Sequence, residues 1–337
     1  LFERMIRAST KLIVVGLCAS AALVTFGSGG QRTFQPANQL DVGNVVALDV
    51  STNGSLLVAD ADDQSLLIYD IRNPSAPRLQ RNIALDGTPV AAAWVNRDDS
   101  AAFVAVQTGD GSPILQLIAR PTYNPRQGYI LYATYDLVEL PEAIATSPNG
   151  DWGALYGDSG LTLLEILSWD EINSSFISSN AVLTAALTNS SLLAAAPTSD
   201  ELVTAQIGRG PALTAASSGT MSSEILTLNV DSSGTVHAVL LAPASVALLD
   251  VNRGSVLATQ ALNMTPPPTV ITSASHDNGT WLIAYTPGES SAAFFETDGR
   301  TLTPAFILST SHPIQHLSGA NGVIATTDGE TVDLYTP

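Results

Sequence analysis

Asp60, Asp62 and Asp63 fall within the four-residue stretch Asp60-Ala61-Asp62-Asp63. Oxygen ligands two residues apart suit a hard cation such as Ca2+, which makes Asp60 and Asp62 the metal candidates of the chain. The stretch lacks the central Gly and the distal Glu of an EF-hand loop. His312 and His316 offer a second spacing, His-x-x-x-His, which on a helix would put two imidazoles on one face. Pro313 interrupts it, and along an extended strand those positions lie about 13 Å apart, too far to share a metal. No Gly-x-Ser-x-Gly elbow, Walker A loop or Cys/His metal spacing is present. Cys18 is the only cysteine, which removes disulfide frameworks and thiolate zinc sites. Lys11 is the only lysine, so no Schiff-base chemistry is available beyond it. A third grouping is Arg120, Tyr123, Arg126 and Tyr129; Tyr and Arg are frequent interface anchors, so these four are interface candidates.

The elements that carry these residues must be built from an apolar, acidic chain. Of 337 residues, 45% are hydrophobic, and 13 Lys+Arg stand against 31 Asp+Glu, a net charge of −18. That balance argues against nucleic acid and against an anionic membrane face. Arg4, Arg7 and Lys11 precede an apolar run from Leu12 to Phe26 and then Gly27-Ser28-Gly29-Gly30, the pattern of a secretory signal peptide. Residues 1–30 are therefore expected to be a signal peptide or signal anchor, and only an uncleaved segment of this kind would touch a membrane. The remainder, 31–337, is expected to be one extracytoplasmic domain. Without Glu3, Arg4, Arg7 and Lys11 it holds 10 Arg and 30 carboxylates, a net −20.

Runs of five to eight residues rich in Val, Ile, Leu, Ala and Thr alternate with Gly/Asn/Asp/Ser/Pro clusters, which is strand-and-turn punctuation. One turn recurs with its last residue at Gly54, Ser100, Gly150, Ser191, Gly234, Gly279 and Gly322. The intervals average about 45 residues, the length of one four-stranded propeller blade. Two further turns follow each of the first six, giving strands A to D from the axis outward. The seventh unit ends at Pro337 after strand C. Residues 32–42 are placed to supply its missing outer strand, which would close the ring and cover an edge. The chain is thus predicted to be an all-β, seven-bladed propeller.

In such a ring the B–C turns share one end with the D–A connections, and the A–B and C–D turns share the other. The B–C turns hold Asp60, Asp62, Asp63, Asp110, Asp158, Asp200, Glu201, Glu289, Asp328 and Glu330, and no Arg. Arg72, Arg120, Arg126, Arg209, Arg253 and Arg300 all fall in C–D turns. A rim of one sign concentrates a cation or a basic partner.

The run from Leu57 to Pro74 contains Val58-Ala59-Asp60, then Leu66-x-Ile68-x-Asp70, then Asn73-Pro74. It resembles the LVIVD-repeat and YVTN-like bacterial propellers over residues 44–85, one blade of seven. The resemblance implies an extracytoplasmic seven-bladed propeller and carries no catalytic residues with it. The expectation for function is a non-enzymatic exported scaffold, without a cofactor, that binds a protein partner on an acidic face. Two alternatives stand beside it: a Ca2+-stabilised or glycan-binding extracellular module, and a propeller hydrolase with an axial carboxylate site.

Overall fold

In a computed structural model of the chain, the described residues are 31–95, 99–121, 127–169, 171–242, 244–250, 255–262, 264–277 and 279–337. The signal segment and the interface candidates Tyr123 and Arg126 lie outside them.

The recurring turn has a local cause. Where an A strand ends, a side-chain oxygen accepts backbone N–H groups of the turn that follows. Ser51 Oγ takes the N–H of Ser55 at 3.0 Å, Ser147 Oγ that of Trp152 at 3.0 Å and Thr188 Oγ1 that of Ser191 at 2.9 Å. Asp231 Oδ1 takes those of Ser233 and Thr235 at 2.8 and 3.0 Å. Gly54, Gly150, Gly234 and Gly322 complete turns of this type at φ between +74° and +85°, a region that favours glycine. Each cap reverses the chain into an antiparallel B strand.

Seven sheets result, each built on four antiparallel strands, one of them with a fifth strand at its edge. The A strands, in order, are Val45–Val50, Gly87–Trp94, Ala143–Thr146, Thr184–Leu187, Ile225–Val230, Val270–His276 and His316–Ala320. The outer D strands of blades one to six are Arg78–Ala84, Ile130–Asp136, Glu171–Ser178, Leu213–Thr220, Ser255–Ala261 and Leu302–Ile314. Blade seven takes its fourth strand from Asn38–Asp41, which pairs antiparallel with Thr331–Tyr335. The predicted closure is present, with one correction to its extent. Gln31–Thr33 does not join blade seven; it runs parallel to Leu302–Ile314 as a fifth strand of blade six. That D strand is 13 residues long, and the added strand covers part of an edge that would otherwise be open to other chains.

The blades stack face to face, so the core is a set of seams. Leu57, Leu66 and Ile68 of blade one pack with Ala102, Val104 and Ile118 of blade two, and equivalent clusters fill the other junctions. Val45, Leu56 and Val58 meet Val332 and Leu334 where the ring closes. Inner strands have neighbours on both faces, which is why Leu56-Leu57-Val58-Ala59 is a continuous apolar run without alternation. Among the described residues there is no helix long and apolar enough to cross a membrane.

Candidate functional site

The turn topology brings the acidic B–C turns to one end of the ring. Asp60 behaves differently from the rest. Its side chain is 1% exposed, and Oδ1 accepts the N–H groups of Asp62 and Asp63 at 3.0 and 3.4 Å. A Cβ at Gly43 would come within 2.8 Å of its Oδ2, an oxygen that has no hydrogen-bond partner among the described residues. Asp60 is thus the cap of its own turn, roofed by the connection from blade seven. As a surface group for a partner it is corrected: a turn that needs an Asx cap draws the carboxylate inward.

The other acids divide into turn caps and free groups. Asp110 accepts from Thr108 Oγ1 at 2.5 Å and from the N–H of Ser112 at 3.1 Å; the Thr108 bond, then the Ser112 amide, hold its carboxyl below the usual range. Burial pushes Asp328 upward, but the N–H groups of Thr331 and Glu330, at 2.8 and 3.0 Å, outweigh it and lower the carboxyl. Asp110 is exposed and Asp328 half-buried. Asp62, which accepts from Asn44 Nδ2 at 3.2 Å, is exposed, as are Asp63, Asp158, Asp200, Glu201, Glu289 and Glu330.

Reading only the B–C turns missed part of this face. The D–A connections emerge at the same end and add Asp86, Glu139, Glu142 and Glu224, with Asp41 and Asp136 at the ends of their strands. No Arg or Lys occurs in any B–C turn or D–A connection. The signal was available, because the repeat that assigns one set of turns to this end assigns the other. Val138, Leu183 and Leu241 are exposed apolar side chains at the same end of blades two to five, Val138 at 89%.

Tyr129 is corrected as an interface anchor, while Arg120, which holds it in place, keeps its side chain 37% exposed. Tyr129 is 2% exposed and packs against Trp94 at 5.8 Å in the seam between blades one and two. Its hydroxyl accepts from Arg120 Nη2 at 2.5 Å and donates to the Asp99 carbonyl at 2.9 Å. The Arg120 guanidinium lies 4.2 Å above the ring and 3.4 Å from Asp99 Oδ2, which Ser55 Oγ also contacts. Burial, followed by the Asp99 charge, pushes the Tyr129 phenol up to about 12. Arg120 and Tyr129 form a staple within blade two because its A–B turn offers the buried carboxylate of Asp99. Tyr129→Phe should cost about 1 to 2 kcal/mol, since it strands the Asp99 carbonyl; a urea unfolding midpoint unchanged from wild type would refute that role.

The histidines do not converge. His237 is buried in blade five, and His276 stacks on Trp281 at 4.3 Å while Glu296 Oε2 lies 3.1 Å from its Nε2. His312 Nδ1 stands 3.5 Å from Asp333 Oδ2 and 3.4 Å from Ser311 Oγ. Both contacts use the same ring nitrogen, so the three cannot relay a proton as a nucleophile–base–acid set. The carboxylate that the A strands do contribute is Asp49; its oxygens accept from Ser318 Oγ at 3.0 Å and from the N–H of Trp94 at 2.9 Å. It joins blades one, two and seven. Among the described residues, no three His, Cys, Asp or Glu side chains are grouped to hold a metal ion.

No family model matches the chain, and no curated protein matches it in sequence. Many solved structures share its fold. A chain from the crystal structure of a mitotic checkpoint complex aligns over 98% of this chain and 99% of its own length, at 10% identity and a TM-score of 0.65. The WD40 repeats of RRP9 align over 90% and 99%, at 11% identity and a TM-score of 0.67. The seven-bladed fold is shared with these proteins; the likeness to LVIVD-repeat propellers stands on the residues of blade one alone.

Proposed function

We propose that the chain is a non-enzymatic interaction scaffold that receives a basic protein partner on the B–C and D–A end of its ring. The observation that carries this reading is the sign of that end. The B–C turns of six blades and the connections between blades bring acids to it and no Arg or Lys, and a like-signed rim raises the local concentration of an opposite charge. Val138, Leu183 and Leu241 add apolar surface beside the charge, the composition a protein partner uses better than a free ion. One similar propeller was solved within a mitotic checkpoint complex, in keeping with an assembly role. The basic and then apolar residues before position 30 support export, so the partner would be met outside the cytoplasm.

The test is binding of a fluorescent deca-arginine peptide, followed by anisotropy at low and high salt. Wild type should bind saturably and lose affinity with salt. Neutralising Asp62→Asn, Asp158→Asn, Asp200→Asn and Glu201→Gln together should weaken binding about tenfold, while Asp151→Asn with Asp277→Asn at the other end leaves it unchanged. Equal affinity of the two variants would end the reading.

Calcium is a second reading, carried by the Asp60 oxygen that lacks a hydrogen-bond donor beside Asp62. A saturable rise in Tm on calcium titration, lost in Asp62→Asn, would support it. No shift at millimolar calcium would remove it.

A further inference from the structure

A pocket of about 300 Å3 opens at the opposite end of the ring, in the C–D turn of blade one. Asp70, Arg72, Asn73, Ala76 and Arg78 line it. The chain carries −18 overall, yet these walls hold two guanidinium groups and one carboxylate. That carboxylate is already engaged. Arg72 grips it as a fork, Nε to Oδ1 at 2.9 Å and Nη2 to Oδ2 at 2.5 Å, and Oδ1 also accepts the Arg72 N–H at 3.1 Å. Arg78 stands opposite Asp70 in the pairing of the two strands. It adds its field to that carboxylate, which both arginines hold below the usual range, Arg72 foremost through its hydrogen bond. Among the described residues Arg78 makes no ion pair. One guanidinium in the pocket is therefore uncommitted.

The turn is built before any ligand arrives. Ala76 N–H bonds the Asn73 carbonyl at 3.0 Å, and Ile71 N–H bonds that of Gly54 at 2.8 Å. Asn38 of the ring-closing strand donates to the Ser75 carbonyl at 3.1 Å, so closure of the ring braces the pocket wall. A preformed site of this kind loses little freedom on binding. The single uncompensated positive charge matches a monoanion. A phosphate dianion would face stronger repulsion from Asp70, and the planar fork of Arg78 suits a carboxylate.

We infer that this pocket binds a carboxylate, of a small organic acid or of an acidic side chain on a peptide, through the guanidinium of Arg78 and the amide of Asn73. The site is independent of the acidic end and of opposite sign, so either can fail without the other.

The experiment follows the arginine Nε–Hε signals of the full chain by NMR during titration with sodium propionate, with the blocked tripeptide acetyl-Gly-Glu-Gly-amide, and with inorganic phosphate. Saturable shifts with a millimolar Kd are expected for the carboxylates. Arg78→Gln should weaken binding about fivefold, the scale of one exposed charge pair, and Arg78→Lys should lie between. Tighter binding of the tripeptide than of propionate would assign the site to a peptide side chain; equal binding would assign it to small acids. The Arg78 side chain is exposed, so both variants should unfold at the wild-type temperature. No saturable shift, an unaffected Arg78→Gln variant, or tighter binding of phosphate would overturn the inference.

Discussion

Trp281→Ala should lower the stability of the protein by about 4 kcal/mol, near the upper range for a large aromatic deleted from a core. Trp281 is a buried side chain of blade six whose ring sits edge-on to Phe294 and Phe306 at 5.7 and 5.8 Å. Those two stack on each other at 4.4 Å, and Phe34 meets Phe306 edge-on at 5.6 Å. With His276 on the other side, the ladder runs through all four strands of the blade to the segment that leads into the closing strand. The indole Nε1 also donates to Glu296 Oε1 at 2.9 Å. Alanine would remove the packing, leave a cavity at the seam with blade seven, and free Glu296 from one partner. Trp281→Phe keeps most of the volume and should cost about 1 to 2 kcal/mol. Urea unfolding followed by tyrosine fluorescence measures both; a loss below about 1 kcal/mol in the alanine variant would mean that the ladder does not hold the blade.

The second large effect is a loss of stability in acid that traces to His237. The imidazole is fully buried in the B strand of blade five, and neither ring nitrogen has a hydrogen-bond partner among the described residues. Asp231 Oδ2 lies 3.9 Å away, and the buried Asn229 Oδ1 is likewise without a donor. Burial drives the imidazole down from 6.5 to about 4, against the opposing pull of Asp231. The folded state thus prefers the neutral ring, and between those values the unfolded chain binds more protons. The contribution of His237 is complete above pH 6.5 and is lost as pH falls through 4. It amounts to about 2 kcal/mol by pH 5 and about 3 at the limit. His237→Leu replaces an unsatisfied ring with an apolar side chain and should be near neutral at pH 7. Its advantage over wild type should then grow steadily as the pH drops to 4.5. Parallel stability–pH curves for the two proteins would show that His237 is not the titrating group.

Much of the architecture was legible because it is written in short-range chemistry. A capped turn about every 45 residues is a local event, and Ser51, Ser147, Thr188 and Asp231 perform it in the same way wherever they stand. Strand order, seven units and a closing strand drawn from residues 32–42 follow from counting those turns. Gln31–Thr33 escaped that reading because nothing in its three residues indicates a parallel partner; the long D strand of blade six supplied the edge.

Function-bearing side chains were legible only as far as their turn. Chain position alone determined which end of the ring each acid or arginine occupies, so the acidic face is a property of the sequence. Whether a group at that end points outward was decided by tertiary contacts. Asp60 and Asp62 are two residues apart in one turn, yet the first is drawn under Gly43 to satisfy backbone amides and the second stays in solvent. Tyr129 carries the composition of an interface anchor, but Asp99 and Arg120 of its own blade hold it and the seam with blade one took it inward. Turn chemistry acts over three or four residues and survives in the sequence; the roof of Gly43 over Asp60 and the packing of Tyr129 into the seam with blade one exist only once the blades have stacked and the ring has closed.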